Sequence, residues 1–235
     1  MKRGNWVAFA PFYLLVVIVF VGIAQMGSNT VSTIRQQNPV DRHTRIVIDA
    51  GHGGIDGGAT SCTGVLESQL NLEIALRLND LFHFIGYETV MIRSTDESIY
   101  INGNTIASQK VSDLNERVRI VNETADGILV SIHQNTFQDS RYYGAQVFYS
   151  SAEQSQYLAQ TVQNQLIQAL NPESKRKAKP AKGVYLMEHI KRPGILIECG
   201  FISNAKEEAQ LRSPEYQKKL CAVIAASVSS YLYGA

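Results

Sequence analysis

The sequence predicts an α/β fold: one compact domain with a central, largely parallel sheet flanked by helices, preceded by an N-terminal hydrophobic helix. Short β-rich apolar runs alternate with longer segments in which apolar residues recur every three or four positions. Helical connections of this length join parallel strands. With 235 residues, of which 45% are hydrophobic and 18% charged, the chain fits one globular domain with a short appendage.

The elements can be assigned in order from Arg45. Arg45–Ala50 is β-rich and ends in glycines, which indicates the first strand. The apolar residues from Leu70 to Ile85 lie on one helical face, and Gly86 ends that helix. The remaining predicted strands are residues 88–92, 128–133, 145–150 and 194–198, and the remaining predicted helices are residues 114–125, 153–170 and 214–233.

The N-terminal 24 residues are predicted to be a signal anchor or a signal peptide. Lys2 and Arg3 precede an uncharged apolar run over residues 6–24, which as a helix would be about 28 Å long, close to the ~30 Å hydrocarbon core of a bilayer. The run is longer than the usual core of a cleaved signal peptide, yet its last three residues offer a small-x-small cleavage site, so cleavage stays open. Either way the basic end stays in the cytoplasm and the rest is exported.

Composition excludes several classes of function. The formal net charge of +1 does not favour nucleic acid as a partner. The three cysteines form no CxxC pair and predict neither a zinc ribbon nor a disulfide framework. Cys199 is interpreted as a small buried filler rather than a thiol nucleophile. Residues 25–44 are polar, contain Pro39 and are predicted to be a linker.

Two histidines and two glutamates are the candidate site residues. His52 follows the first strand, His133 and Glu198 end later strands, and Glu67 precedes the first long helix. Ligands of open α/β sheets bind at the carboxyl ends of strands, so these four side chains are expected on one rim. Two imidazoles and one carboxylate are a common catalytic zinc set that leaves a fourth position for water, with the second carboxylate as general base.

Each candidate also has a structural alternative. The glycines around His52 are compatible with a simple turn or a phosphate cradle, although the P-loop and GxGxxG patterns are absent from the sequence. Glu67 alone resembles a solvated residue in a helix first turn, and His133 alone could be a satisfied core histidine. Glu198 could pair with Arg93 or Arg117 instead of acting as a base.

These residues stand in blocks that resemble the zinc-dependent N-acetylmuramoyl-L-alanine amidases of bacterial cell walls. The blocks are residues 49–54, Glu67 at the head of a helix, and residues 114–118, 131–135 and 198–204. The resemblance implies that residues 45–235 are a zinc amidase catalytic domain with Zn²⁺ ligands His52, Glu67 and His133 and catalytic Glu198. It also implies peptidoglycan as substrate, cleaved between N-acetylmuramic acid and the L-alanine of the stem peptide.

Within that family the chain is most similar to the single-domain, membrane-anchored type that acts on spore cortex and is germination-specific. The resemblance places it on the extracytoplasmic side of the membrane, anchored or secreted, in a step before muramic lactam formation. It leaves open a regulatory protein partner, a metallopeptidase acting on stem peptides, and a silent wall-binding scaffold. One departure is Thr136-Phe137 after the His133 block, which concerns substrate contacts rather than the ligands.

Overall fold

A six-stranded sheet in the order β2-β1-β3-β6-β4-β5 forms the centre of the protein. The computed structural model describes residues 44–234. The strands are β1 Arg45–Ala50, β2 Thr89–Met91, β3 Gly127–Asn135, β4 Gln146–Tyr149, β5 Lys179–Pro180 and β6 Gly194–Phe201. The helices are α1 Glu67–Phe84, α2 Ile106–Glu123, α3 Ser155–Leu170, α4 Tyr185–His189, α5 Ala205–Leu211 and α6 Pro214–Gly234.

The predicted α/β class is confirmed. Strands β2, β1, β3 and β6 pair in parallel, β4 runs antiparallel to β6, and β5 is parallel to β4. The apolar strands β1 and β3 are almost entirely buried because helices cover both faces of the sheet. Helices α1, α3 and α6 pack together on one side, and α2 and α4 pack over the other.

The face of the sheet that α2 and α4 cover also forms part of the candidate site. Its core contains side chains from three neighbouring strands, represented by Val47, Leu129 and Leu196, packed against Val121 of α2 and Leu186 of α4. Strand alternation then places the residues two positions further on, at 49, 131 and 198, on the same face.

Most element boundaries agree with the predicted ones, and the exceptions have local causes. Helix α2 begins at Ile106, eight positions before the predicted start, because Thr105 caps it: its side chain accepts from the Ser108 amide, and Ser108 reciprocates. The predictions that Glu198 and His133 close their strands are wrong, since β6 continues to Phe201 and β3 to Asn135. The short elements β5, α4 and α5 carry too little periodicity to be recognised from sequence.

The predicted hydrophobic helix over residues 6–24 and nearly all of the predicted linker lie outside the described residues. Among the helices formed by residues 44–234, none combines the length and apolarity needed to cross a membrane.

Candidate metal centre

The loop after β1 presents His52 in an uncommon backbone conformation. His52 has φ 61°, in the left-handed region that non-glycine residues seldom adopt. Neighbouring glycines make the necessary space: a Cβ on Gly51 would lie 2.2 Å from His133 Nε2, and one on Gly58 would lie 2.7 Å from Glu67 Oε2. The glycine-rich segment is therefore needed for close packing of three candidate site residues, and not only for turning.

Two buried arginines fix this loop by its carbonyl oxygens. Arg93 Nε donates to the Ala50 carbonyl at 2.7 Å, and its Nη2 donates to the Gly51 carbonyl at 3.1 Å. Arg117 Nη2 donates to the His52 carbonyl at 2.8 Å. These contacts hold the strained residue in place, since a polypeptide keeps such a conformation only where its surroundings determine it.

Arg117 is itself held by two carboxylates. It pairs with buried Asp49 at 2.5 Å and with Asp113, one turn earlier on α2, at 2.6 Å. Burial alone would raise the pKa of Asp49, but the charge of Arg117 and a 2.6 Å hydrogen bond from the Ser131 hydroxyl lower it. Asp49 thus stays ionised inside the protein and ties β1 to α2.

His52, Glu67 and His133 converge at the carboxyl end of β1 and β3. His52 Nε2 lies 3.3 Å from Glu67 Oε1, and His133 Nδ1 lies 3.0 Å from the same oxygen. One ligand atom from each residue lies within 4.8 Å of the others, so the group could hold a metal ion. Neighbouring ligands of tetrahedral zinc are separated by ~3.3 Å when the bonds are about 2.0–2.1 Å. The two spacings to Glu67 therefore fit zinc.

Glu67 is positioned by backbone amides as well as by the histidines. It is the first residue of α1 and is buried. Its Oε2 accepts from the Ala59 amide at 2.9 Å, and its Oε1 accepts from the Gln134 amide at 3.1 Å. Burial would raise the pKa of Glu67, but hydrogen bonds to His133 and His52 hold it far below its ordinary value. An ionised carboxylate is the form that binds a metal.

Asp56 orients the imidazole of His52. Its Oδ2 lies 2.9 Å from His52 Nδ1, and its Oδ1 accepts from Lys110 Nζ at 2.9 Å. Burial opposes protonation of His52, but Glu67 and Asp56 outweigh it and raise the pKa of His52 to about 9. Because Nδ1 is occupied, Nε2 is directed at Glu67, an arrangement common where histidines bind metals.

Glu198 lies beside the three residues and forms no ion pair with any residue that the structure describes. It is the partner of His133 in the pairing of β3 with β6. Its Oε2 is buried and has no hydrogen-bond partner among the described residues. Burial raises the pKa of Glu198 to about 7, with the two histidines opposing the shift and Glu67 adding to it. Arg93 and Arg117 are engaged elsewhere, so the alternative salt bridge to Glu198 is not formed.

The remaining candidates from sequence stay outside this group. Cys199 is buried, and burial raises the pKa of its thiol well above the ordinary value, which argues against a nucleophilic thiolate. His83 lies on α1 and contacts Thr89, whereas His189 stacks on Tyr185 with ring centroids 4.0 Å apart. His43 lies outside the described residues.

Sequence reasoning gave no site role to Asp56, Lys110 or Asp49. Asp56 had a usable signal, because it follows His52 by four positions in the same glycine-rich segment. Lys110 had none, since it reaches the site only through the packing of α2. The pairing of Asp49 with Arg117 also joins elements far apart in sequence.

The fold and the site geometry together define a class of protein, namely α/β domains with a His-Glu-His group at the ends of the strands. A family model described as N-acetylmuramoyl-L-alanine amidase matches residues 46–230, and the chain belongs to this family of peptidoglycan amidases. The germination-specific N-acetylmuramoyl-L-alanine amidase of Bacillus subtilis is 32% identical over 232 residues, which cover 98% of this chain and 95% of the relative.

Solved structures agree with this assignment. The CwlD amidase from Clostridioides difficile, in complex with the GerS lipoprotein, superposes with a TM-score of 0.78 at 36% identity. The match covers 82% of this chain and all of that one. An N-acetylmuramoyl-L-alanine amidase from Clostridium difficile 630 has a TM-score of 0.69 at 30% identity, covering 80% of this chain and 96% of the other.

Proposed function

We propose that this protein is a zinc-dependent amidase that hydrolyses the bond between the lactyl carboxyl of N-acetylmuramic acid and the amino group of L-alanine. In this proposal His52, Glu67 and His133 are the metal ligands and Glu198 is the general base. The observation that carries it is the convergence of two imidazoles and an ionised carboxylate beside a second carboxylate that no arginine among residues 44–234 neutralises.

Zinc held by His52, Glu67 and His133 would supply Lewis acidity toward the scissile carbonyl and would lower the pKa of water toward about 7. The remaining steps belong to the protein. Glu198 takes the proton of the attacking water and passes it to the departing amine of L-alanine. Burial favours the protonated form of Glu198 and so makes its carboxylate a stronger base, which helps it take up the proton and later return it. Asp56 keeps His52 in the orientation that the site requires.

We further propose that the enzyme acts outside the cytoplasm, held to the membrane by residues 6–24 or released from it, and that it contributes to spore-cortex maturation before muramic lactam formation. Similarity to a germination-specific amidase supports the cortex role. The relative from Clostridioides difficile is in complex with a lipoprotein, which supports a protein partner outside the cytoplasm for this chain as well.

Mass spectrometry of the products from purified peptidoglycan, digested by the full chain with added zinc, tests the proposed reaction. Free stem peptides that begin with L-alanine, together with glycan bearing unsubstituted muramic acid, are the expected products. Shortened stems that remain attached to glycan would instead indicate a peptidase. Intact substrate that nevertheless binds the protein would indicate a scaffold or a missing partner.

A further inference from the structure

Three side chains form a row across neighbouring strands at the candidate site. His133 of β3 is paired with Glu198 of β6, and Glu198 is in turn paired with Gln146 of β4. Paired residues on adjacent strands project from the same face of a sheet. The row therefore leads from the candidate metal ligands, past the proposed base, to Gln146 on the far side.

A cavity lies at each end of this row. The metal-side cavity, of about 360 Å³, is lined by His52, His133 and residues of α2 and the 183–186 segment. Its charged side chains are all paired, Asp49 and Asp113 with Arg117 and Asp56 with Lys110, and together they leave one net negative charge, which disfavours an anionic ligand. Apolar side chains make up much of the remaining wall, which suits an uncharged ligand.

The cavity at the other end is positively charged. This cationic groove, of about 820 Å³, is lined by Tyr142, Tyr143, Gln146, Lys175, Lys177 and Lys179, among others. Both tyrosines are about half exposed, at 47% and 49%. The lining also includes Glu173, Arg176 and the mutually paired Asp139 and Arg141. Within residues 44–234, no ion pair engages any of the three lysines.

Gln146 adds an unused hydrogen-bond acceptor to the groove. Its side chain is 1% exposed, and its Nε2 lies within donating distance of the Lys177 carbonyl, at 2.8 Å, and of Gln163 Oε1, at 3.1 Å. Its Oε1 is buried and has no partner in the described part of the chain. Buried polar atoms in native proteins are nearly always paired, so this acceptor is available to a donor that reaches it from the groove.

We propose that the cationic groove binds the stem peptide of the substrate, so that the peptide extends from the scissile bond across β6 while the glycan occupies the metal-side cavity. This inference rests on the proposed function. The stem peptide carries free carboxylates. The N-acetylated sugars have no charged group apart from the lactyl carboxyl, which in the substrate is part of the scissile amide bond. Lys175, Lys177 and Lys179 complement the carboxylates, and Gln146 Oε1 would accept from a peptide N–H.

Titration of the ¹⁵N-labelled full chain with free L-alanyl-D-isoglutamyl-diaminopimelate tests this assignment. We expect shifts at the Gln146 side-chain amide and at the amides of residues 175–179, weakened by added salt and by amidation of the peptide carboxylates. A variant in which Lys175, Lys177 and Lys179 are all replaced by Gln should bind roughly three- to tenfold more weakly, because exposed ion pairs contribute little each.

The matched control replaces Lys191, Lys218 and Lys219 by Gln. These lysines are exposed, do not line the groove and give the same change in net charge. Equal binding by the groove variant and the control variant would overturn the proposal. So would shifts confined to the metal-side cavity, or groove shifts caused by an N-acetylglucosamine–N-acetylmuramic acid disaccharide instead of the peptide.

Because this readout needs no hydrolysis, the inference and the proposed function can fail separately. Groove binding that depends on the three lysines, without release of stems from peptidoglycan, would refute the activity alone. The groove assignment alone would be refuted if the enzyme releases stems but the groove variant has the KM of the wild type, and if substrates with free and with amidated stem carboxylates are cleaved at equal rates.

Discussion

His133 and Glu198 face each other on adjacent parallel strands, with β3 carrying a proposed metal ligand and β6 the proposed base. Backbone hydrogen bonds between the two strands fix the distance between these residues more rigidly than two loops would. A bulge between His133 and Asn135 follows immediately, where the register of the two strands shifts. Bulges of this kind often redirect side chains next to active sites.

The Glu198→Gln variant tests the role of the base. Glutamine keeps the size of the side chain but does not accept a proton, so we expect zinc content like that of the wild type and hydrolysis reduced by roughly 10²–10⁴-fold. Metal analysis and release of stem peptides are measured on the same preparation. Full activity in this variant would remove Glu198 from the mechanism.

The His52→Ala and His133→Ala variants test the ligand assignment. Each removes one of three protein ligands, so zinc content and hydrolysis should fall together. His189→Ala is the matched control, because His189 is exposed, stacks on Tyr185 and lies outside the His-Glu-His group. Zinc bound at wild-type affinity in either ligand variant would reject the assignment.

Gly51→Ala tests the packing that brings the loop against His133. A Cβ at this position would lie 2.2 Å from the ring, so the imidazole or the loop has to move and zinc affinity should fall at least tenfold while the protein stays folded. Gly57→Ala is the control in the same loop, since its Cβ would meet only flexible Leu66 methyl groups at 3.2 Å. Equal zinc affinities in the two variants would show that the close approach is unimportant.

Asp56→Asn tests the orientation of His52. The pKa of Asp56 is lowered to about 2 despite partial burial, by its contacts with Lys110 and His52, so the carboxylate is charged throughout the neutral range. Loss of that charge should weaken zinc binding by about 10–100-fold without abolishing it. Zinc titration against a competing chelator measures the change, and unchanged affinity would exclude an orienting role.

Arg117→Met tests the buried pair that anchors α2 to β1. Among the described residues it leaves buried Asp49 with the Ser131 hydroxyl as its one hydrogen-bond partner, which should cost about 3–5 kcal/mol in the free energy of unfolding at pH 7. The double variant Asp49→Asn, Arg117→Met removes both charges and should recover part of that loss. Urea unfolding in the presence of a chelator measures both variants.

The effect of pH on this pair has a definite sign. In the wild type the pKa of Asp49 in the folded protein is below its value of about 3.9 in the unfolded chain. The stability that ionised Asp49 contributes is therefore complete above about pH 3.9 and is lost as the pH falls through the folded-state pKa. Without Arg117, burial instead raises the pKa of Asp49. The deficit of Arg117→Met should therefore shrink as the pH approaches 4, and a deficit independent of pH would contradict this account.

The sheet could be predicted because apolar periodicity is strong in the buried strands, as in residues 128–133. The four candidate site residues could also be singled out, since their local settings are distinctive. What could not be predicted depends on tertiary contacts: Lys110 reaches Asp56 only after α2 has packed, and the row from His133 to Gln146 depends on the antiparallel insertion of β4 beside β6. The sequence predicts that Glu198 closes the apolar run before it, yet β6 continues to Phe201.

Anomalous diffraction from crystals of the zinc-loaded full chain locates the metal directly. We expect a single zinc peak bonded to His52 Nε2, Glu67 Oε1 and His133 Nδ1, with the Glu198 carboxylate nearby but unbonded. Zinc bonded to Glu198 in place of any of these three residues, or absent from this end of the sheet, would refute the proposed metal centre.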